Sequence, residues 1–231
     1  MIAHSDLHIH TQASDGRAHP REVVLRARAI GLDVIAITDH DTFAGSVIAR
    51  RYVRGETPLV LAGAEVRTAW GDVLVLCGDP IPVTKDPEVL HELADDNGCV
   101  LVPAHPFDVM RLGIGWRVRE DLWDCIECFN MGSDPITNAV AWTYCHASGK
   151  PCMACSDAHV LEMVGVARTL IEIPNLTLDD VLESIRKGLV TPRPKYSVAG
   201  LARKVAWGIQ RKLHGHTRYP ALSEELYLKI V

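Results

Sequence analysis

No apolar run in this chain of 231 residues is long enough to cross a bilayer: the longest, such as LVLAGA at 59–64, fall far short of the ~20 residues a spanning helix needs. Nothing near Met1 reads as a charged stretch followed by an apolar one, so no secretory leader is expected. Internal repeats and low-complexity tracts are absent too, which excludes a solenoid or a disordered chain. Aromatic residues are few, at 6%, within an ordinary soluble composition of 48% apolar and 23% charged residues. The expectation is a cytoplasmic protein with no membrane partner, whose seven cysteines stay reduced.

Acidic side chains are missing from one stretch. Between Arg186 and Arg218 stand nine Lys/Arg and no Asp or Glu, whereas the rest of the chain carries 15 Lys/Arg against 29 acids. The net charge of −5 therefore hides an acidic body with a basic tail segment. Within that segment Val198, Leu201, Val205, Ile209 and Leu213 recur at helical spacing, with Arg203, Trp207 and Arg211 on another face. The leading expectation is a helix packed through its apolar stripe with the basic face in solvent. The alternative is a contact for nucleic acid, or another polyanion, through residues 186–218.

What the chain does have is alternation. Short apolar runs at 6–10, 33–38, 58–66, 99–104, 124–130, 151–157 and 167–173 read as strands, and VLVLC after WGD as a hairpin partner. Between them lie helical stretches such as PREVVLRARAIG, with Pro20 at a first turn and Gly31 at a stop. Runs that do not alternate polar with apolar point to a parallel sheet covered by helices, either a closed barrel or a doubly wound sheet.

Polar residues collect at the ends of these strands. His8 and His10 end the first, Asp39-His40-Asp41 the second and Glu65 the third, while His105 follows the strand at 99–104. Asn130 ends IECFN, and Asp157 and His159 follow the strand at 151–156. Barrel enzymes build their sites at that end of the sheet. The i, i+2 pairs His8/His10 and Asp157/His159 each present two donors to one side. Imidazoles mixed with carboxylates suit Zn, Mn or Fe, and this many donors suit two or three ions rather than one tetrahedral zinc.

DLHIHTQASDG, ITDHDT, GAE, PAHP and SDAH, in that order, resemble the PHP (polymerase and histidinol phosphatase) family over roughly residues 6–190. The resemblance implies a distorted seven-stranded, TIM-like (β/α) barrel over 1–195, with a basic C-terminal helical extension over 196–231. It also implies a metal-dependent phosphoesterase that hydrolyses phosphate esters with a metal-activated water, through catalytic residues His8, His10, Glu65, Asp157 and His159. Carried over by motif, one ion falls to His8, His10, Glu65 and Asp157. A second falls to Glu65, His105 and a residue of IECFN, where alternation puts Cys128 and Asn130 opposite Glu127 and favours Asn130. A third falls to Asp15, His40 and His159. The expected partner is a small phosphorylated substrate or a nucleotide, with Arg17, Arg168, Arg193 and Lys195 as candidate phosphate ligands.

Two other functions stay open. One is a regulatory or nucleic-acid-binding module with little catalysis. The other is an amidohydrolase-type hydrolase, which calls for a bridging lysine that no strand end here offers. Asp39 and Asp41 read either as carboxylates orienting an imidazole or as turn residues. The Cys125/Cys128 and Cys152/Cys155 pairs lie within strands, where i and i+3 face opposite ways, so core thiols are expected rather than a zinc knuckle. His4, His19, His91, His146, His214 and His216 match no motif.

Overall fold

In a computed structural model of the chain, the structure describes residues 1–53, 55 and 57–214. The expected extension beyond 214, with His216 and Arg218, lies outside the described residues. In chain order the elements are β1 (Ile2–Asp6), α1 (Pro20–Ala29), β2 (Val34–Ile37), α2 (Ala44–Arg50), β3 (Leu59–Thr68), β4 (Gly71–Cys77), α3 (Pro87–Asp96) and β5 (Val100–Pro103). Then come β6 (Ile126–Asn130), α4 (Pro135–Ser148), β7 (Cys152–Cys155), β8 (Arg168–Glu172), α5 (Leu178–Arg186), β9 (Val190–Arg193) and α6 (Val198–His214). Three helices share one local design, a polar residue followed by proline. His19, Asp86 and Asp134 each accept hydrogen bonds from first-turn backbone N–H groups, and the proline after each loses no helical bond at that position.

Seven strands form one sheet in the order β5-β4-β3-β2-β1-β8-β9, and β6 and β7 pair separately. The expected parallel sheet is corrected in part, and the expected hairpin after β3 is present. β1, β2 and β3 run parallel, but the β3–β4, β4–β5, β1–β8 and β8–β9 pairs are antiparallel. Only Ala69 and Trp70 separate β3 from β4, too few residues for a parallel crossover. β4 and β5 still read as unbroken apolar runs because both their faces are covered.

The sheet curls into a half-barrel, with the β6–β7 pair beside both β5 and β8. Across those two seams side chains replace a continuous ladder. The Asp124 carboxylate accepts from the Leu101 N–H at 2.8 Å, and Thr169 Oγ1 bridges the N–H and C=O of Ala154 at 2.9 Å each. A complete TIM barrel is therefore not what the chain forms. Inside the curl, Leu7, Ala36, Leu61, Leu74 and Val102 meet Val181, Leu182 and Ile185 of α5.

Two of the cysteines depart from the expected thiols. The register that pairs Leu76 with Val100 brings Cys77 opposite Cys99, and these two form a disulfide. Cys125 and Cys155 point into the interior. Cys128, Cys145 and Cys152 face outward, their sulfurs within 4.8 Å of one another. Among the described residues, no helix is long and apolar enough to cross a membrane.

Candidate metal centre

The first histidines sit beyond the strand expected to carry them. β1 ends at Asp6, but the chain stays extended through an isolated bridge from Ile9 to Ala158. Ile9 and Ala158 turn outward into the apolar layer under α1, so His8 and His10 turn inward beside Asp157 and His159. A second bridge, His40 to Glu65, aligns the next two motifs. His105 and Asp157 hold backbone φ angles of 33° and 48°, which non-glycine residues adopt at a cost of order 1–3 kcal/mol and which cluster at functional sites.

Three groups of donors result. His8, His10 and Glu65 form one, and Asp157 Oδ1 joins it at 3.6 Å from His8 and 3.3 Å from His10. Asp15, His40 and His159 form another with His10, Asp15 Oδ1 lying 3.1 Å from His159 and 3.6 Å from His40. The remaining group is Glu65, His105 and Asp72, and Asp72 was not foreseen. Its only trace in the sequence is the WGD that reads as a turn, whereas the hairpin buries it beside Glu65.

Asn130 turns inward as expected, and its Oδ1 accepts the Gly132 N–H at 2.8 Å and an Arg111 N–H at 3.1 Å. The register shifts between Glu127 and Phe129, and this bulge breaks the alternation, so Glu127 and Asn130 face inward together. Glu127 then holds His8 Nδ1 at 3.0 Å and accepts the His105 N–H at 2.6 Å, leaving His8 Nε2 to face His10 Nε2 at 3.1 Å.

These residues fit divalent metal ions on two counts. The donors are imidazoles mixed with carboxylates. In addition, His10 Nδ1, Asp15 Oδ1, Glu65 Oε2, His105 Nδ1 and Asp157 Oδ1 are buried without a hydrogen-bond partner among the described residues. Orphaned polar atoms are rare in folded interiors, and five in one place call for a cation.

Electrostatics follow from this crowding. Burial opposes ionisation of Glu65, but His8 and the imidazoles of His10, His105 and His40 hold its carboxyl well below the usual range. Burial would lower the His10 imidazole, yet Asp157 and Glu65 override it and hold it up at about 9. Metal must then displace a proton from His10 at neutral pH. Apparent metal affinity is therefore expected to rise about tenfold per pH unit per proton displaced, from pH 6.5 toward 9, and to level off above. Chelator competition at pH 6.5, 7.5 and 8.5, corrected for the chelator's own protonation, measures this, and a flat profile would mean that metal-free His10 holds no proton in this range.

The centre also has a cationic rim that the sequence reading missed. Arg111, in the loop after β5, hydrogen-bonds Asp157 Oδ2, and Lys204 Nζ reaches the same oxygen at 3.0 Å. Arg211 binds Asp15 Oδ2 at 2.6 Å, and Trp207 Nε1 donates to the Asp15 C=O at 2.9 Å. Helix α6 therefore lies with its basic face on the centre and leaves Val198, Val205, Ile209 and Leu213 exposed. This reverses the packing expected from its apolar stripe, because an acidic mouth attracts Lys204 and Arg211 more specifically than an apolar stripe finds a groove. Arg17 is exposed and lines a separate cavity with Gln12, Glu22 and Glu162, although its backbone N–H bonds the His159 C=O at 2.8 Å, and Arg168, Arg193 and Lys195 line a third cavity. Among the described residues no strand carries a lysine, so the bridging residue of an amidohydrolase-type site has no counterpart.

The model of the PHP domain matches residues 6–101, and that of the PHP-associated region matches 135–190. The uncharacterized protein MJ1587 of Methanocaldococcus jannaschii is 30% identical over 150 residues, covering 59% of this chain and 88% of that protein. The chain belongs to the PHP-domain family. Another PHP relative, a 5′-3′ exoribonuclease of Haemophilus influenzae, is 46% identical over 73 residues, 30% of this chain and about a quarter (26%) of that enzyme. In fold the chain is similar to a two-domain protein of Bacteroides vulgatus containing a predicted PHP-like metal-dependent phosphoesterase. That match has a TM-score of 0.72 and 18% identity, and it covers 88% of this chain and 68% of the other.

Proposed function

We propose that this PHP domain hydrolyses phosphate monoesters with two or three bound divalent ions, Zn, Mn or Fe. The observation that carries the reading is a buried acidic centre ringed by Arg111, Lys204 and Arg211, donors for metal and for phosphate in one mouth. Divalent ions held by His8, His10, Asp15, His40, Glu65, Asp72, His105, Asp157 and His159 supply positive charge for the phosphoryl oxygens and acidify a water molecule. Glu127 orients His8, and Asp39 and Asp6 tie down the loops that carry Asp15 and Asp157. Arg111 and Lys204, which hydrogen-bond Asp157 Oδ2, would offer their donors to a phosphoryl group in the mouth, as cations recognising anionic oxygens do.

The mouth is small. A cavity of about 220 Å³, lined by Asp15, His40, Asp72, Arg111, His159 and Lys204 among others, lies below the range of drug-sized pockets. It suits a phosphoryl group on a small leaving group better than the middle of a polynucleotide. The basic segment also divides rather than forming one stripe. Arg186 and Lys187 pair with Glu183, Arg203 pairs with Glu162, and Lys204 and Arg211 serve the centre.

The test is hydrolysis of p-nitrophenyl phosphate before and after a chelator, with restoration by Mn or Zn and metal counted per chain. Metal without turnover would overturn the reading. Lys204→Ala is expected to lower kcat/KM about 10- to 100-fold, the worth of one charged hydrogen bond, with metal content unchanged.

A further inference from the structure

Arg168, Arg193 and Lys195, expected at the mouth of the centre, line another cavity instead. It has a volume of about 530 Å³ and shares no residue with the mouth. Five elements build it: α1 gives Arg26 and Ile30, β1 His4, the loop before β8 Val164 to Val166, β8 Arg168 and Leu170, and the end of β9 Arg193 to Lys195. No carboxylate lines it. Among the described residues, Arg26, Arg193 and Lys195 form no ion pair, and Arg26 Nε is buried without a hydrogen-bond partner. Arg168 is fixed in place by bonds to the Gly165 and Ile30 carbonyls, at 2.5 and 3.5 Å.

Four cationic side chains, Arg26, Arg168, Arg193 and Lys195, thus line one concavity with no acid on its wall. A fold that assembles them without acids on the wall gains from an anion there. The rest of the lining is largely apolar, from Ile30, Val164, Val166, Leu170 and Pro194. We propose that this cavity is a second ligand site, taking a small organophosphate whose phosphates meet Arg26, Arg168, Arg193 and Lys195 and whose organic part lies on the apolar wall.

The cavity is also connected to the centre. Gly165, on its wall, donates its N–H to Asp6 at 2.7 Å, and the same carboxylate accepts the N–H and hydroxyl of Ser156, next to Asp157, at 3.1 and 2.5 Å. Binding in the cavity does not require the reaction assigned to the metals.

Calorimetric titration of the full chain with inorganic pyrophosphate and with ADP, in excess chelator, tests the proposal. Binding is expected to weaken at least tenfold in the Arg193→Gln/Lys195→Gln double variant, both of whose residues are exposed, and again in Arg26→Gln checked by thermal melt. It is expected to survive Lys204→Ala/Arg211→Ala, which takes two of the three rim cations from the mouth of the centre. ADP is expected to bind more tightly than pyrophosphate, and equal or weaker binding would overturn the role of the apolar wall. No binding at all, or binding lost with Lys204→Ala/Arg211→Ala and kept by the cavity variants, would overturn the site.

Discussion

Glu65→Gln is expected to strip the centre of metal and to lower phosphate ester hydrolysis by at least ~10³-fold, about 4 kcal/mol of activation free energy. No other carboxylate touches as many imidazoles. Its oxygens lie 3.5 Å from His8 Nε2, 3.3 Å from His10 Nε2, 3.0 Å from His40 Nδ1 and 3.0 Å from His105 Nε2. It also belongs to two of the three donor groups, so its loss undoes both. Glutamine keeps the volume, so the packing around Ala64 and Val66 is spared. What changes is charge and donor pattern: an amide turns an N–H toward atoms that must offer lone pairs to a cation. Metal counted per chain, together with the rate on p-nitrophenyl phosphate, reads both effects. A variant with full metal content and an unchanged rate would mean that Glu65 is a core carboxylate and nothing more.

How far such an assignment is legible without coordinates depends on what kind of physics places each residue. Element type was readable where a local signal decides it: Asp86-Pro87 and Asp134-Pro135 open helices because capping is a contact within four residues. Strand direction was readable at one place, where VLVLC follows β3 so closely that it reads as a hairpin partner, and it pairs antiparallel. TLIE carries no such link, and its antiparallel pairing with β1 is set by the tertiary fold. The short edge strand β9 escaped notice because VTPR is half exposed, with a proline that only an edge tolerates.

The site divides in the same way. His8, His10, Asp15, His40, Glu65, His105, Asp157 and His159 converge because each belongs to a motif that ends a strand or follows one. Asp72, Glu127, Arg111, Lys204 and Arg211 reach the same place by tertiary routes. Glu127 is the instructive case, since strict alternation turns it away from the centre and a single bulge at Cys128 turns it back. Lys204 and Arg211 were hidden by the opposite error. Their helix has a regular apolar stripe, and the stripe was taken for the packed face when charge had chosen the other one.

Asp39→Ala is expected to cost about 3–5 kcal/mol of folding stability, from three buried donors left without an acceptor at ~1–3 kcal/mol each. The Asp39 carboxylate is buried and accepts three hydrogen bonds, from the Thr11 N–H at 2.7 Å, the Thr11 hydroxyl at 2.6 Å and the Ser14 hydroxyl at 2.6 Å. All three donors lie in the loop between His10 and Asp15, and an alanine leaves them buried without acceptors. Space around the carboxylate is committed as well: a Cβ on Gly45 would sit 1.9 Å from Asp39 Oδ2, so α2 closes over it. The loop should therefore loosen, releasing Asp15 from His40 and His159 while the His8–Glu65 group stays in place. Roughly 10 °C off the melting temperature, with partial rather than complete loss of metal, is the expected pattern. Asp41→Asn supplies the contrast. It keeps a residue tolerant of the left-handed backbone at φ 55° and disturbs one exposed bond, to the Arg67 N–H at 2.9 Å, so its cost should stay below ~1 kcal/mol. If thermal unfolding put the two variants level, the loop would be held by something other than Asp39, and its part in presenting Asp15 would fall with it.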